Sequence, residues 1–135
     1  MGRPRGIWRT PAARIMSDVE AAWIGAFIEA DGSITSYKHC KNCDISYIVI
    51  TATQMDIEPI STLLRFTGVG VVSWQKMSPF TKFKSINTHI WKWSLRANAD
   101  VRHVLMQIRP FCPKAQTVLQ NLPMTHFERF GGTSH

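Results

Sequence analysis

The chain has 135 residues, enough for one domain with its own core and too few for two. Hydrophobic residues make up 44% and charged residues 19%, which excludes a disordered or collagen-like chain. The longest nearly apolar run, residues 21–28, is too short to cross a bilayer, so we expect no membrane partner. Sixteen Lys and Arg against nine Asp and Glu give a net charge of +7, which favours a polyanionic partner.

The charges are distributed unevenly along the chain. Residues 1–16 contain four arginines and no acid, and we interpret them as a basic N-terminal arm. Residues 17–31 contain four acids and no base, whereas residues 69–95 contain lysines and no acid. This pattern fits either a solvated surface or an enzyme that acts on nucleic acid and holds a cation near its acids.

The first predicted element is a helix over residues 18–30. Ser17 and Glu20 have the spacing of a capping box, in which each side chain bonds the other residue's backbone N–H. Gly32 is expected to end the helix in the left-handed conformation.

The rest of the chain predicts two hairpins and three more helices. Lys41 and Asn42 provide the turn of the first hairpin. Asn98 or Asp100 caps the helix that ends before Pro110. The other helices are predicted over 56–66 and 115–122, and the strands over 33–39, 44–54, 69–76 and 86–95. The order αββαββα(α) indicates an α+β fold with antiparallel hairpins.

The first helix carries acids at its C-terminal end, where the helix dipole disfavours negative charge. Glu29 and Asp31 lie at the negative C-terminal end of the helix dipole, and no Lys or Arg lies in that turn. Since a local choice that costs stability often marks a functional site, we expect a bound cation such as Mg²⁺ there. Small residues on the same helix would allow a second helix to approach closely: Ala22, Gly25 and Ala26.

Residues 24–32 resemble the nine-residue signature of the LAGLIDADG homing endonucleases. Four positions are identical to it, the last of them Asp31 and Gly32. Further matches follow in the right order at residues 53–54, 67–70, 91–93, 109–111 and 114–116. The resemblance spans residues 17–122 and implies one domain there with the LAGLIDADG endonuclease fold, an antiparallel saddle-shaped sheet with helices packed on one face. Residues 123–135 would form a C-terminal tail.

The resemblance also implies an activity. The family hydrolyses phosphodiester bonds in double-stranded DNA at specific sites, and its single-signature members act as homodimers on long pseudo-palindromic targets in intron or intein homing. The implied cofactor is Mg²⁺, with Mn²⁺ or Ca²⁺ as substitutes, held by the Asp31 carboxylate and the Ala30 backbone carbonyl. The implied catalytic residues are Asp31, Gln54 and Lys114, and Arg109 is the alternative to Lys114.

Two further implications concern the dimer and the pocket. The small residues Ala22, Gly25 and Ala26 would form the dimer interface. Glu58 stands where some relatives carry a basic active-site residue, so this chain departs from the family at that position.

Strand alternation divides the predicted sheet into two faces. The core face is expected to hold Ile34, Ile48, Ile50, Val71, Trp91, Trp93 and Leu95. The opposite, DNA-binding face is expected to hold Ser33, Thr35, Tyr37, His39, Tyr47, Thr51, Ser73, Gln75, Thr88 and Lys92. Phosphate contacts are expected from Lys82 and Lys84 on the loop.

Two alternatives remain open. The same fold without cleavage would serve as an RNA maturase acting on its own intron RNA, or as a DNA-binding regulator. A zinc-dependent RNA-binding module would use Cys40 and Cys43, although no second close ligand pair accompanies them. We expect both as free thiols, because three cysteines favour a reducing compartment, either the cytoplasm of a microbe or an organelle.

Overall fold

The computed structural model describes residues 12–38, 40–42, 45–76 and 89–121. The elements follow the predicted order: α1 Asp18–Asp31, β1 Gly32–Lys38, β2 Ile45–Gln54, α2 Ile57–Thr67, β3 Val71–Lys76, β4 His89–Leu95, α3 Asn98–Ile108, a 3₁₀ turn Arg109–Phe111, and α4 Pro113–Gln120. None of these helices has the length and apolar character needed to span a membrane. The α+β class is confirmed.

The four strands form one antiparallel sheet in the order β1-β2-β4-β3. Directly paired residues point to the same face, so the register sorts the side chains. The face that carries Ile50, Trp93 and Leu95 packs against the helices and forms the core. The other face is not covered by these helices, and we call it the open face.

The predicted core face is correct except at Val71. Val71 pairs with Ser94 on the open face and is 66% exposed, while its neighbour Val72 packs against the core. A strand alternates with a period of two, so Val71 must share the face of Ser73 and Gln75, and its assignment to the core face was inconsistent with theirs to the opposite face.

The start of α1 is as predicted, but its end is different. Ser17 and Glu20 form the capping box. Gly32 has φ −104°, an extended conformation, so the prediction of a left-handed residue is wrong. Glycine is needed there for space, because a Cβ would lie 2.9 Å from the Thr51 carbonyl oxygen.

Residues 12–16 pack against the domain. The predicted basic arm, residues 1–16, therefore extends too far along the chain. Asp100 accepts hydrogen bonds from the backbone N–H groups of Ala12 (2.7 Å) and Ala13 (3.1 Å). Gln107 accepts from the N–H of Met16 and donates to the carbonyl of Arg14. We call residues 12–16 the N-terminal strap.

Neither predicted cap of α3 is used, since the N-cap residue is Ala97 and makes no side-chain cap bond.

Cys40 is disulfide-bonded, so the prediction of a free thiol at this position is wrong. Lys41 and Asn42 form the predicted turn. The predictions for residues 1–11, His39, Cys43, Lys82, Lys84, Thr88 and the tail 123–135 lie outside the described residues.

Candidate active site and nucleic-acid interface

Asp31 lies at the junction where α1 passes directly into β1, and its side chain is exposed. The pairing of Gly32 with Ala52 brings the end of β2 beside this junction. As a result, the Gln54 Nε2 donates a hydrogen bond of 3.1 Å to Asp31 Oδ2. The structure therefore brings together two of the three predicted catalytic side chains, and the amide fixes the orientation of the carboxylate.

Lys114 reaches the same helix end from α4. Its Nζ lies 2.9 Å from the Gly32 carbonyl oxygen and 3.5 Å from that of Ile28. The C-terminal carbonyls of a helix have no intrahelical partner and carry partial negative charge, so this ammonium is well placed. The cation missing from the last turn of α1 in the sequence is thus supplied by a residue far along the chain.

Glu29 is used differently from Asp31. Its Oε1 accepts the backbone N–H of Lys114 at 2.8 Å and lies 3.7 Å from Cys112 Sγ. A carboxylate at the positive N-terminus of α4 is favoured by the dipole of that helix. The two acids at the end of α1 are therefore not equivalent: Glu29 is half-buried against α4, whereas Asp31 is exposed.

Two other candidates lie apart from these contacts. Arg109 is exposed in the 3₁₀ turn, where its carbonyl accepts a bond from Gln116 Nε2 at 2.8 Å. Glu58 is exposed in the first turn of α2, a position that the helix dipole favours for an acid.

The open face of the sheet carries mostly polar side chains, together with Val49, Val71 and Ile90. Ser33 and Thr51 face each other there and share a hydroxyl hydrogen bond of 2.8 Å. The rings of Tyr37 and Tyr47 stack with centroids 4.8 Å apart. The register places every described residue of the predicted DNA-binding set on this face: Ser33, Thr35, Tyr37, Tyr47, Thr51, Ser73, Gln75 and Lys92.

The outer side of α1 is apolar and exposed. Val19 is 80% and Trp23 37% exposed, and Ala26 lies one turn further along. Gly25, by contrast, is buried, and a Cβ on it would lie 2.8 Å from Phe111 Cβ. The close approach at Gly25 is therefore made within the chain, which removes this residue from the predicted dimer interface and leaves Ala22 and Ala26.

No protein-family model matches the sequence, and no curated protein matches it. Solved structures do resemble the fold. The homing endonuclease I-CvuI in complex with its target in the presence of calcium has a TM-score of 0.54 at 16% identity, over 76% of this chain and 65% of that chain. I-CvuI with the I-CreI target and magnesium, its DNA not cleaved, has a TM-score of 0.54 at 17% identity, over 80% and 70%.

The LAGLIDADG meganuclease I-CpaMI bound to uncleaved DNA has a TM-score of 0.52 at 11% identity, over 74% of this chain and 35% of that chain. This chain has the LAGLIDADG endonuclease fold. The chain spans less than two thirds of the I-CvuI chain in the calcium complex and about one third of the I-CpaMI chain.

Two further polar residues lie on the open face of this LAGLIDADG fold and were not predicted from the sequence. Thr53 and Ser94 pair with Lys92 and Thr51, respectively, on that face. Both could have been found, because each lies two positions after a residue already assigned to the open face.

Proposed function

We propose that the chain is a site-specific homing endonuclease that cleaves double-stranded DNA as a homodimer with a divalent metal. The observation that carries this proposal is the Asp31–Gln54 hydrogen bond at the end of α1, on a LAGLIDADG fold. A binding protein would gain little from an exposed carboxylate that faces phosphate. The solved structures with this fold include DNA complexes of homing endonucleases, which agrees with duplex DNA as the substrate class.

The residues around Asp31 fit a magnesium ion whose remaining ligands are waters and phosphate oxygens. Within the described residues, no three His, Cys, Asp or Glu side chains cluster to hold a metal by themselves. Mg²⁺ prefers oxygen ligands and commonly keeps only one or two protein carboxylates together with waters and phosphate oxygens. The Asp31 carboxylate and the Ala30 carbonyl would hold it, and when bound it supplies Lewis acidity and an activated water.

The protein side chains have separate roles in this proposal. Gln54 holds the Asp31 carboxylate in one orientation through its amide. Lys114 places a positive charge at the Gly32 carbonyl, directly after Asp31, where negative charge on the DNA would accumulate. The hydroxyl and amide groups of the open face would contact base edges in the major groove, and Lys92 would contact phosphate.

Homodimerisation would be made by the outer side of α1. Each chain has one signature, so a double-strand break requires two copies of Asp31. The exposed Val19 and Trp23 leave an apolar surface on this helix, and Ala22 and Ala26 would let a second helix approach closely. A two-fold dimer in turn implies a pseudo-palindromic target.

The decisive test replaces Asp31 with Asn. We expect Asp31→Asn to lower the cleavage rate by at least about 10³-fold, which is about 4 kcal/mol, because the metal loses its carboxylate. Duplex binding should stay close to wild type, since Asp31 is exposed and Asn can still accept from Gln54. The substrate is a duplex that carries the uninterrupted junction of the host gene, with cleavage followed on a gel and binding by fluorescence anisotropy.

The matched control is Asp18→Asn, an exposed acid in the first turn of the same helix. It should cut and bind as wild type does. Loss of binding together with cutting in Asp31→Asn would indicate a structural role for Asp31. A wild-type protein that binds the host intron RNA and never cuts the junction would favour the maturase instead.

A further inference from the structure

We propose that Glu29 is a positioning residue for the cleavage site: its carboxylate fixes the first turn of α4 and thereby holds the Lys114 ammonium at the Gly32 carbonyl, one residue after Asp31. This inference rests on the proposed endonuclease function. Glu29 and Asp31 are only two positions apart, yet one faces α4 and the other faces solvent, so their roles can be separated by substitution.

The first turn of α4 depends on an acceptor from outside the helix. Pro113 is its first residue and has no N–H, and the N-cap residue Cys112 makes no side-chain cap bond. The first available donor is therefore the N–H of Lys114, which Glu29 Oε1 accepts at 2.8 Å. This contact joins residues 85 positions apart in the sequence.

Lys114 joins the two helices through both of its ends. Its backbone N–H bonds Glu29, and its Nζ bonds the Gly32 carbonyl at 2.9 Å. Each helix thus caps the other with a charge of the sign that its dipole favours. Because one residue makes both contacts, a shift in the first turn of α4 would move the ammonium away from the end of α1.

Cys112 reinforces the same arrangement. It is fully buried, and burial raises the pKa of its thiol, so it remains protonated at neutral pH. The S–H can then donate to Glu29 Oε1 across 3.7 Å. Glu29 consequently receives two donors that lie two residues apart at the start of α4, and these hold its carboxylate in place.

A double-mutant cycle tests the inference. On the junction duplex, we expect Glu29→Ala to lower the single-turnover cleavage rate about 10- to 100-fold, the usual effect of losing a supporting partner of an active site. DNA affinity measured without divalent metal should not change. Glu29→Gln retains the acceptor and should recover most of the rate. In a Lys114→Met background, Glu29→Ala should change the rate by less than about twofold, since its effect passes through Lys114.

Asp18→Ala is the control for loss of an exposed acid from α1 and should match the wild type. Glu29→Asp, which keeps the charge but is one methylene shorter, provides the same test if the alanine variant does not fold. Multiplicative effects of the two substitutions, or wild-type rates in Glu29→Ala or Glu29→Asp, would overturn the positioning role alone. A wild-type protein that does not cut the junction would overturn the proposed function and, with it, this role.

Discussion

Asp100 lies in the first turn of α3, and its side chain accepts hydrogen bonds from the N-terminal strap, which is far away in the sequence. It is 4% exposed and accepts the N–H groups of Ala12 and Ala13 at 2.7 and 3.1 Å. Replacing it with Ala leaves two amides without this acceptor, or releases the N-terminal strap and uncovers the buried Ala13 and Met16. Hydrogen bonds to a charged group contribute about 1.5–3 kcal/mol each, and these two share one oxygen, so we expect Asp100→Ala to cost about 2–4 kcal/mol.

Asp100→Asn sharpens this prediction. The Asn oxygen can accept both amides as a neutral group, so the variant should lose about half as much stability as Asp100→Ala. Urea unfolding followed by tryptophan fluorescence measures the difference, and the melting temperature of Asp100→Ala should fall by about 10 °C.

Release of the strap can be detected independently of global unfolding. Arg14 lies in the strap, and its guanidinium donates to the carbonyls of Arg65 and Phe66. Trypsin should therefore cut after Arg14 faster in Asp100→Ala than in wild type. The control is Asp56→Ala, an exposed acid at the N-cap of α2 that makes no side-chain cap bond. If Asp100→Ala costs less than about 1 kcal/mol and trypsin cuts at the wild-type rate, the strap is not held by this carboxylate.

Three further predictions concern the proposed dimer interface, the packing at Gly70 and the contacts with phosphate. Ala26→Glu places a charge on the exposed side of α1, so analytical ultracentrifugation should show a monomer, whose melting temperature should no longer depend on protein concentration; a persistent dimer would contradict the proposed interface. Gly70→Ala should cost about 3 kcal/mol or more in urea unfolding, because its φ is +107° and the new Cβ would lie 2.2 Å from Trp93 Nε1; a cost below 1 kcal/mol would refute this packing. The affinity for duplex DNA should fall steeply with salt, and Lys92→Ala should reduce the slope of log K against log salt by about one; a flat response would exclude phosphate contacts.

Several features of this protein could be predicted from the sequence because they depend on neighbours a few positions apart. The capping box of Ser17 and Glu20 formed as expected. Alternation within each strand assigned the open face, since a strand has a strict period of two. The signature at the end of α1, together with Gln54, identified the pair that the structure brings into hydrogen-bond contact.

Other features were decided only by tertiary structure, because they join segments far apart in the chain. The cation that stabilises the end of α1 is Lys114, and the partner of Glu29 is the N-terminus of α4, 85 residues away. Asp100 appeared to be a local cap but bonds residues 87 and 88 positions earlier. Local patterns define which residues form a helix or a strand, but charges and close contacts at the ends of those elements are balanced by whatever the fold brings next to them.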